Sequence, residues 1–235
     1  MTLRFVRVAG WTAIVLSVMI MLASGMLRMA AMTQGPPAAD VLDARYVQHL
    51  LVSFVHIVPG LLFLSLAPLQ FVPRIRQRHI SFHRGLGRVL VSCALISGVF
   101  ALVVGFRLPA FGGIATQSAT AFFGAIFLFS LVKAFWHIRR KEVRLHREWM
   151  IRAFALAMGV ATIRVFLALF MGLASFSTEE VFGTTFWLGF SVNLLVAEVW
   201  INRTRGGDPR GIPRARSTGG PGTRPAPTGQ ARKGA

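Results

Sequence analysis

Two histidines of this chain stand in matching surroundings and could hold a cofactor together. His83 is followed by Arg84 and His146 by Arg147, and each histidine lies six or seven residues before a long uncharged run. If those runs are neighbouring helices, both imidazoles lie at one level, where they could bind haem iron while arginines pair with the propionates. We therefore predict that His83 and His146 bind haem b or hydrogen-bond a quinone. The polar residues expected beside them are Gln70, Arg84, Arg88, Arg147 and Arg152.

The same pattern has a simpler interpretation. Histidine and arginine are common at the boundary of a membrane helix, where they contact lipid headgroups and need bind nothing else. The amino-terminal ends of two helices, with arginines beside them, would also attract a small anion or a phospholipid headgroup. Interfacial anchoring and anion binding therefore stay open beside the cofactor hypothesis.

A second set of polar residues falls deeper in the uncharged runs. His56 and Arg164 each lie about 9 to 14 Å along the axis from the nearer end of their predicted helix. The two side chains could therefore face one another, with Arg28 near the same side. Polar groups in hydrocarbon are costly and often mark a site, so this cationic cluster predicts either an anionic or carbonyl-bearing ligand, or arginines that are satisfied by backbone carbonyl oxygens. In the alternative, Arg28 and Arg107 extend outward to water and His56 only bridges two helices.

Most enzyme chemistries lack the residues they need. Cys93 is the only cysteine, so the chain has no internal disulfide, no cysteine-pair metal site and no thioether link to haem. The sequence contains no Ser-His-Asp set, phosphate-binding loop, zinc-ligand spacing or pair of carboxylates within an uncharged run. Hydrolysis and nucleotide-driven transport are therefore disfavoured, and the sequence favours a non-enzymatic role over an enzymatic one.

The elements that position these residues are predicted from composition and hydropathy. Hydrophobic residues make up 54% of the chain and charged residues only 14%, with the charges in bursts between uncharged runs. Each run is close to the ~20 residues that a helix needs to cross about 30 Å of hydrocarbon, and lone strands could not satisfy their backbone groups in lipid. We predict an all-α, polytopic transmembrane bundle with six spans, at residues 9–27, 50–72, 89–106, 114–132, 153–173 and 181–197.

Basic residues mark one side of this bundle. They fill the segment before the first run, the connections after the second and fourth runs, and the segment after the sixth. The positive-inside rule then places both termini in the cytoplasm, for a protein of the bacterial cytoplasmic membrane. This topology accounts for a formal net charge of +18 that no nucleic-acid-binding motif accompanies. The lipid bilayer, and not nucleic acid, is the expected partner.

The two ends of the chain lead to separate predictions. The first run resembles a secretory signal peptide as well as a signal anchor, and cleavage would leave five spans. Its length favours retention. Residues 202–235 are rich in Gly, Pro and Arg, which predicts a disordered cytoplasmic tail after a membrane domain at 1–201. The basic residues of the tail would attract anionic lipid headgroups.

Two local contacts are predicted at the last two spans. Ser177 and Glu180 have the spacing of a capping box, which would begin the sixth span after a short turn. Spans five and six would then form an antiparallel hairpin. Near the far end of this hairpin, Glu198 is predicted to neutralise Arg152 or another arginine at that end, rather than the deeper Arg164.

Three motifs resemble a known family. They are Pro68-Leu69-Gln70-Phe71, His83-Arg84-Gly85-Leu86-Gly87-Arg88 and His146-Arg147-Glu148-Trp149-Met150-Ile151-Arg152, with Arg164 later in the last helix. From about residue 50 to residue 164, the chain is similar to the bacterial membrane proteins of domain of unknown function 2306. The resemblance implies a multi-helix membrane protein without an established activity. The positions that match its pattern are Gln70, His83, His146, Trp149, Arg152 and Arg164, with His56 beside them.

A more distant likeness is to cytochrome b561-type proteins, whose six helices hold two haems through histidine pairs. The pattern departs from theirs, because His56 is the one histidine well inside a predicted span and has no partner histidine at its level. At most one haem, between His83 and His146, is compatible with that resemblance.

Three functions therefore stay open. The first is a membrane redox protein or electron carrier that binds haem b or a quinone through His83 and His146. The second is a carrier or sensor of a small anion, which would depend on Arg164 and His56. The third is a non-catalytic role in membrane assembly, which would tolerate substitution of every histidine.

Overall fold

Helices account for most of the chain that the structure, a computed structural model, describes: residues 3–34, 46–108, 111–173 and 176–205. No strand occurs in these ranges. The helices are α1 (Leu3–Gln34), α2 (Leu50–Gln70), α3 (Pro73–Arg78), α4 (Ile80–Arg107), α5 (Gly113–Arg139), α6 (Val143–Leu173) and α7 (Thr178–Arg205). All of these except the short α3 are long and apolar enough to cross a membrane. The prediction of an all-α bundle with six spans is confirmed.

The long helices extend past the apolar runs at one end of the bundle. This end, where α2 and α5 finish and α4 and α6 begin, is called the basic end. There α4 starts at Ile80 rather than at residue 89, and α6 at Val143 rather than at residue 153. The apolar runs stop at the first arginine, whereas the backbone hydrogen bonds continue, because arginine side chains lie along the helix and reach water.

The last helix continues in the same way. Because α7 ends at Arg205, residues 202–205, which were predicted to belong to the tail, are helical. The rest of the predicted tail, residues 206–235, lies outside the described residues.

Four helices form a ring around the centre of the bundle. Around this ring α2 packs on α4, α4 on α5 and α5 on α6, and α6 makes a smaller contact with α2. Helices α4 and α6 lie on opposite sides, and no pair of their described Cα atoms is within 8 Å. The other two long helices lie outside the ring, α1 between α2 and α6, and α7 between α5 and α6.

The α6–α7 hairpin is held by a close approach of two backbones. A Cβ atom on Gly189 would lie 2.5 Å from Ile163 Cγ1 and 3.1 Å from the carbonyl oxygen of Gly159, so only glycine fits there. At the turn, the amide and the hydroxyl of Ser177 both donate to Glu180 Oε2 at 2.8 Å, and α7 begins at the next residue. These contacts confirm the predicted capping box and the antiparallel hairpin.

Apolar side chains divide between the bundle interior and its outer surface. Phe63, Leu90 and Leu131 belong to the largest buried cluster. On the outside, Leu51 and Ile114 are 77% and 79% exposed, together with many other large apolar residues. A continuous apolar surface of this kind is unfavourable in water and suits hydrocarbon.

Candidate functional site

A cavity of about 340 Å³ lies inside the bundle, mostly in the half away from the basic end. All six long helices contribute to its wall. Small-molecule sites typically have volumes of about 300 to 1,000 Å³ and are mainly apolar with a few polar groups. Aromatic rings supply much of the wall here: Tyr46, Phe63, Phe123, Phe127, Phe182, Phe186 and Phe190.

His56 joins α2 to α4 at the edge of this cavity. Its Nδ1 lies 2.9 Å from the carbonyl oxygen of Ser97, and Ser97 Oγ donates to the carbonyl oxygen of His56 at 2.8 Å. Because a carbonyl oxygen only accepts, Nδ1 carries the hydrogen, and Nε2 is an acceptor in the neutral ring. Nε2 makes no hydrogen bond with any described residue, and the side chain lines the cavity. The bridge to Ser97 therefore fixes which nitrogen is offered to a ligand.

Arg164 of α6 and Arg28 of α1 also line the cavity. Nη1 of Arg164 donates to the carbonyl oxygen of Val160 at 2.9 Å and lies 3.5 Å from the sulfur of Met21. The guanidinium carbon of Arg28 lies 4.3 Å from the centre of the Tyr46 ring. Arg28 is thus packed on an aromatic ring that lines the same cavity. The three residues predicted for the deeper set, His56, Arg164 and Arg28, are brought together by the fold.

Arg107 lies at the surface, as in the alternative interpretation in which it extends outward to water. It is the last residue of α4 and is exposed, and it does not line the cavity. Arginines at helix ends commonly extend to water in this way. Of the arginines on this side, Arg107 can therefore serve as a reference for a purely interfacial one.

Sequence reasoning did not single out the hydroxyl groups of the cavity. Ser97, Thr116 and Thr120 line it, and Thr116 Oγ1 is buried without a hydrogen-bond partner among the described residues. Serine and threonine are frequent in membrane helices and usually bond to the preceding turn, so hydropathy gives no signal for them. A buried hydroxyl without a partner is unfavourable unless something else bonds to it.

A second cluster lies at the basic end, around His83 and His146. Each is the fourth residue of its helix, α4 or α6, so the two occupy matching positions on opposite sides of the ring. Nδ1 of His146 lies 2.9 Å from the carbonyl oxygen of Ala134, which leaves Nε2 as the acceptor of the neutral ring. His83 Nδ1 and Gln70 Nε2 are both buried and have no hydrogen-bond partner in the described part of the chain.

The electrostatic surroundings of His83 are cationic. His146, Arg76 and Arg84 are all close enough for their charges to act on its ring. Arg84 and Arg88 are exposed at the surface of the bundle. A ligand that bonds to His83 and Gln70 from this side would therefore bind more tightly if it carried a negative charge or a strong hydrogen-bond acceptor.

The other two predicted arginines bind to α7 instead of surrounding the histidines. Arg152 donates twice to the carboxylate of Glu198, once at 2.9 Å, and lies over the ring of Trp149. This confirms the predicted Glu198–Arg152 pair. Arg147 donates to the hydroxyl of Thr204 at 3.2 Å.

Glu148 forms an ion pair that sequence reasoning missed. It is 1% exposed and accepts hydrogen bonds of 2.9 and 2.6 Å from Arg205, at the end of α7. A glutamate inside a basic motif was the available signal. Its partner is separated by 57 residues, so only the register of the hairpin identifies it.

The described residues contain no group of three or more His, Cys, Asp and Glu side chains that could hold a metal ion. Haem iron takes only two axial ligands from the protein, so this finding does not bear on the His83–His146 pair.

Residues 53–201 match the DUF2306 family, whose description is "Predicted membrane protein". The chain belongs to this family. The DUF2306 segment contains His56, His83, His146 and Arg164 and covers α2 to α7 almost completely, whereas α1 lies outside it. No curated protein and no solved structure matches the chain, so the likeness to cytochrome b561-type proteins finds no support.

Proposed function

We propose that this membrane protein is a carrier or sensor of a small molecule with a carboxylate or carbonyl oxygen, bound in the cavity. The observation that carries the proposal is the meeting of His56, Arg164 and Arg28 at one mainly apolar cavity. Such groups are costly in hydrocarbon unless they bond to one another, to backbone carbonyls or to a ligand. Arg164 donates through Nη1 to the carbonyl oxygen of Val160, and its side chain still lines the cavity. His56 adds a hydrogen-bond acceptor to the cavity, because its Nε2 has no partner among the described residues and can accept from a hydroxyl group of the ligand, while the guanidinium groups donate to its carboxylate or carbonyl oxygen.

The aromatic wall narrows the ligand further. A flat ring packs well between phenyl rings, since offset and edge-to-face contacts each stabilise by about 0.5–1.5 kcal/mol beyond burial. Guanidinium groups are strong donors to carboxylate and carbonyl oxygens. Benzoate, and a benzoquinone without a side chain, are therefore suitable probes of this site.

Thermal unfolding of the full chain in lipid nanodiscs tests the proposal. A probe at 100 times its Kd stabilises the folded protein by about 2.7 kcal/mol, which raises Tm in a concentration-dependent manner. We expect this rise in the unsubstituted protein and in Arg107→Ala, whose side chain does not line the cavity. In Arg164→Ala the Kd of either probe should rise at least tenfold. His56→Ala should weaken the binding of 4-hydroxybenzoate, whose hydroxyl can donate to Nε2, more than the binding of benzoate, which has no such donor.

The control distinguishes a site from a general effect of charge. Arg107→Ala and Arg164→Ala remove the same charge from the same half of the bundle, so a nonspecific attraction of anions would be weakened equally in both. If the two variants behave alike, or if neither probe raises Tm, the cavity is not the binding site and the proposal is wrong.

A second candidate function, a redox protein or electron carrier with one haem b or a quinone at the basic end, is favoured by a separate observation. His83 Nδ1 and Gln70 Nε2 are buried without partners, and the bond from His146 to Ala134 leaves Nε2 of His146 as an acceptor. Bound haem would supply one-electron transfer, and the two histidines would hold and orient it.

An absorption spectrum decides whether haem is present. Protein purified in detergent from haem-replete cells should show a Soret band that is lost in His83→Ala and in His146→Ala. His79→Ala is the matched control, because His79 is exposed and directly precedes α4. Absence of the band, together with unchanged quinone binding in both variants, would eliminate this candidate. If the cavity test failed as well, the third function, a role in membrane assembly, would be left.

A further inference from the structure

At the junction of α2 and α6, the wall of the cavity is formed differently in the two halves of the bundle. Between α2 and α6, the ring contacts of Phe63 and Phe71 with Phe154 all lie in the half near the basic end. Towards the other end of the bundle, α1 lies over the junction of these two helices. There α1 supplies Met21, Ser24, Gly25 and Arg28 to the cavity wall.

Helix α1 is the least buried of the six long helices. In its most apolar stretch of 18 residues, only 11% is buried within the protein, whereas the buried share of the corresponding stretch is 22–33% in the other five helices. Near the end of α1, Met32 belongs to a small buried cluster with Tyr46, Val104 and Leu108; otherwise α1 packs on α2 and α6. Its separation from this pair would therefore leave the four-helix ring and the α6–α7 hairpin intact.

Most of the surface by which α1 covers the cavity is apolar and can be solvated by lipid instead, and two arginines add polar contacts. Gly25 packs against the end of the Leu61 side chain, with a hypothetical Cβ only 2.7 Å from Leu61 Cδ1. Met21 meets Arg164 through its sulfur, and Arg28 meets the Tyr46 ring. Apolar contact gives little net attraction between helices in a bilayer, because lipid tails solvate the same surfaces equally well.

We infer that α1 is a lateral door to the cavity and that the ligand is a lipid-soluble quinol or quinone, which enters from the bilayer when α1 separates from α2 and α6. This inference rests on the proposed function and specifies its ligand. A quinol has a flat ring with oxygens at opposite ends, which suits phenyl walls between His56 and Arg164. The quinol hydroxyl can donate to Nε2 of His56, the acceptor left by the bond to Ser97. In the quinone form, which serves as the probe, a carbonyl oxygen can accept from Arg164 in the cavity wall. An isoprenoid tail would remain in lipid at the junction that α1 covers.

The first experiment compares two benzoquinones that differ only in a decyl tail. Binding in nanodiscs is followed by quenching of Trp187, which packs on Phe122 and Phe123 next to the cavity. The saturable quenching that Trp187→Phe abolishes is the signal. We expect the decyl compound to bind at least tenfold more tightly per molecule in the membrane than the compound without a tail.

The second experiment prevents α1 from separating from α2. In a Cys93→Ser background, Gly25→Cys and Leu61→Cys are joined by a short, reducible bis-thiol reagent, which ties α1 to α2. The matched control joins Thr162→Cys to Asn193→Cys across the α6–α7 hairpin; this pair shares a hydrogen bond of 2.7 Å and does not line the cavity. Because Gly25 and Leu61 themselves line the cavity, the reference is the same double-cysteine variant before tethering. Relative to that reference, the tether should slow association of the decyl quinone at least tenfold in this variant and not in the control, and reduction of the tether should return the rate to the reference.

The outcomes separate the two hypotheses. If the tail makes no difference and the α1 tether leaves the rate unchanged while the benzoquinone without a tail still binds, the lateral door is wrong and the cavity site stands. If no probe binds, the proposed function fails and the inference fails with it. If the tethered variant does not recover on reduction, the tail comparison in the unmodified chain decides.

Discussion

The ion pair between Glu148 and Arg205 combines a buried carboxylate with a half-exposed guanidinium. The side chain of Glu148 is 2% exposed and that of Arg205 is 47% exposed. Removal of one partner from such a pair is therefore asymmetric, because a stranded arginine can be hydrated whereas a stranded glutamate cannot.

We expect Arg205→Ala to lower the free energy of unfolding by about 3 kcal/mol, the lower end of the cost of leaving a buried charge unpaired. Glu148→Gln should cost only about 1 kcal/mol, since the amide keeps an acceptor for Arg205. Reversible unfolding in SDS and mixed micelles measures both variants. The double variant should resemble Glu148→Gln, and additive losses would contradict this account.

Single residues were predictable where the membrane itself constrained them. Glu198 had to be neutralised near a basic boundary, so its pairing with Arg152 followed from sequence, as did the capping box at Ser177. The Glu148–Arg205 pair and the exposure of Arg84 and Arg88 did not follow. Both depend on the rotation of each helix about its axis. Because arginines lie on every face of the helix ends, the sequence does not show which face is turned towards the bundle.

Among the elements, α6 and α7 have the closest backbone contact, at Gly189. Alanine there would bring a Cβ within 3.0 Å of the Ile163 amide nitrogen and 3.1 Å of the Gly159 carbonyl oxygen, and backbone atoms cannot yield without separating the helices. We expect Gly189→Ala to destabilise the protein by about 1–3 kcal/mol, the usual cost of overpacking.

Gly172, near the end of α6, provides the matched control. A Cβ there meets nothing within 4 Å, so Gly172→Ala should stabilise the helix by up to about 1 kcal/mol. The same unfolding measurement applies to both variants. Equal effects of the two substitutions would mean that the close contact at Gly189 does not hold the hairpin together.

Most element boundaries were predictable at one end of the bundle and not at the other; the exception is α1, which was predicted to end at residue 27 and continues to Gln34. Away from the basic end, α2 starts at Leu50 and α6 ends at Leu173, as the apolar runs indicated. At the basic end the runs stop at arginines, but the helices continue for several more residues. As a result, His83 and His146 lie inside helices rather than in the connections before them.

For the whole molecule, hydropathy was sufficient to predict six spans but not their arrangement. Any circular order of six apolar helices satisfies the same pattern, because each lipid-facing surface resembles every other. The ring of α2, α4, α5 and α6, with α1 and α7 outside it, follows from side-chain packing alone. The sequence therefore predicted that His56 and Arg164 lie at a similar depth in the bundle, but it did not predict the cavity that both residues line. The cytoplasmic location of both termini, retention of the first span and binding of anionic lipid by the tail stay predictions.

The pairing of Arg152 with Glu198 also has a consequence for biogenesis. The two residues are 46 positions apart, on helices that leave the ribosome one after the other. Until α7 arrives, Arg152 and Glu148 of α6 both lack the partners that α7 supplies, Glu198 and Arg205. We therefore expect the translocon to retain α6 until α7 has been synthesised, so that the two helices are released into the bilayer as a neutralised unit.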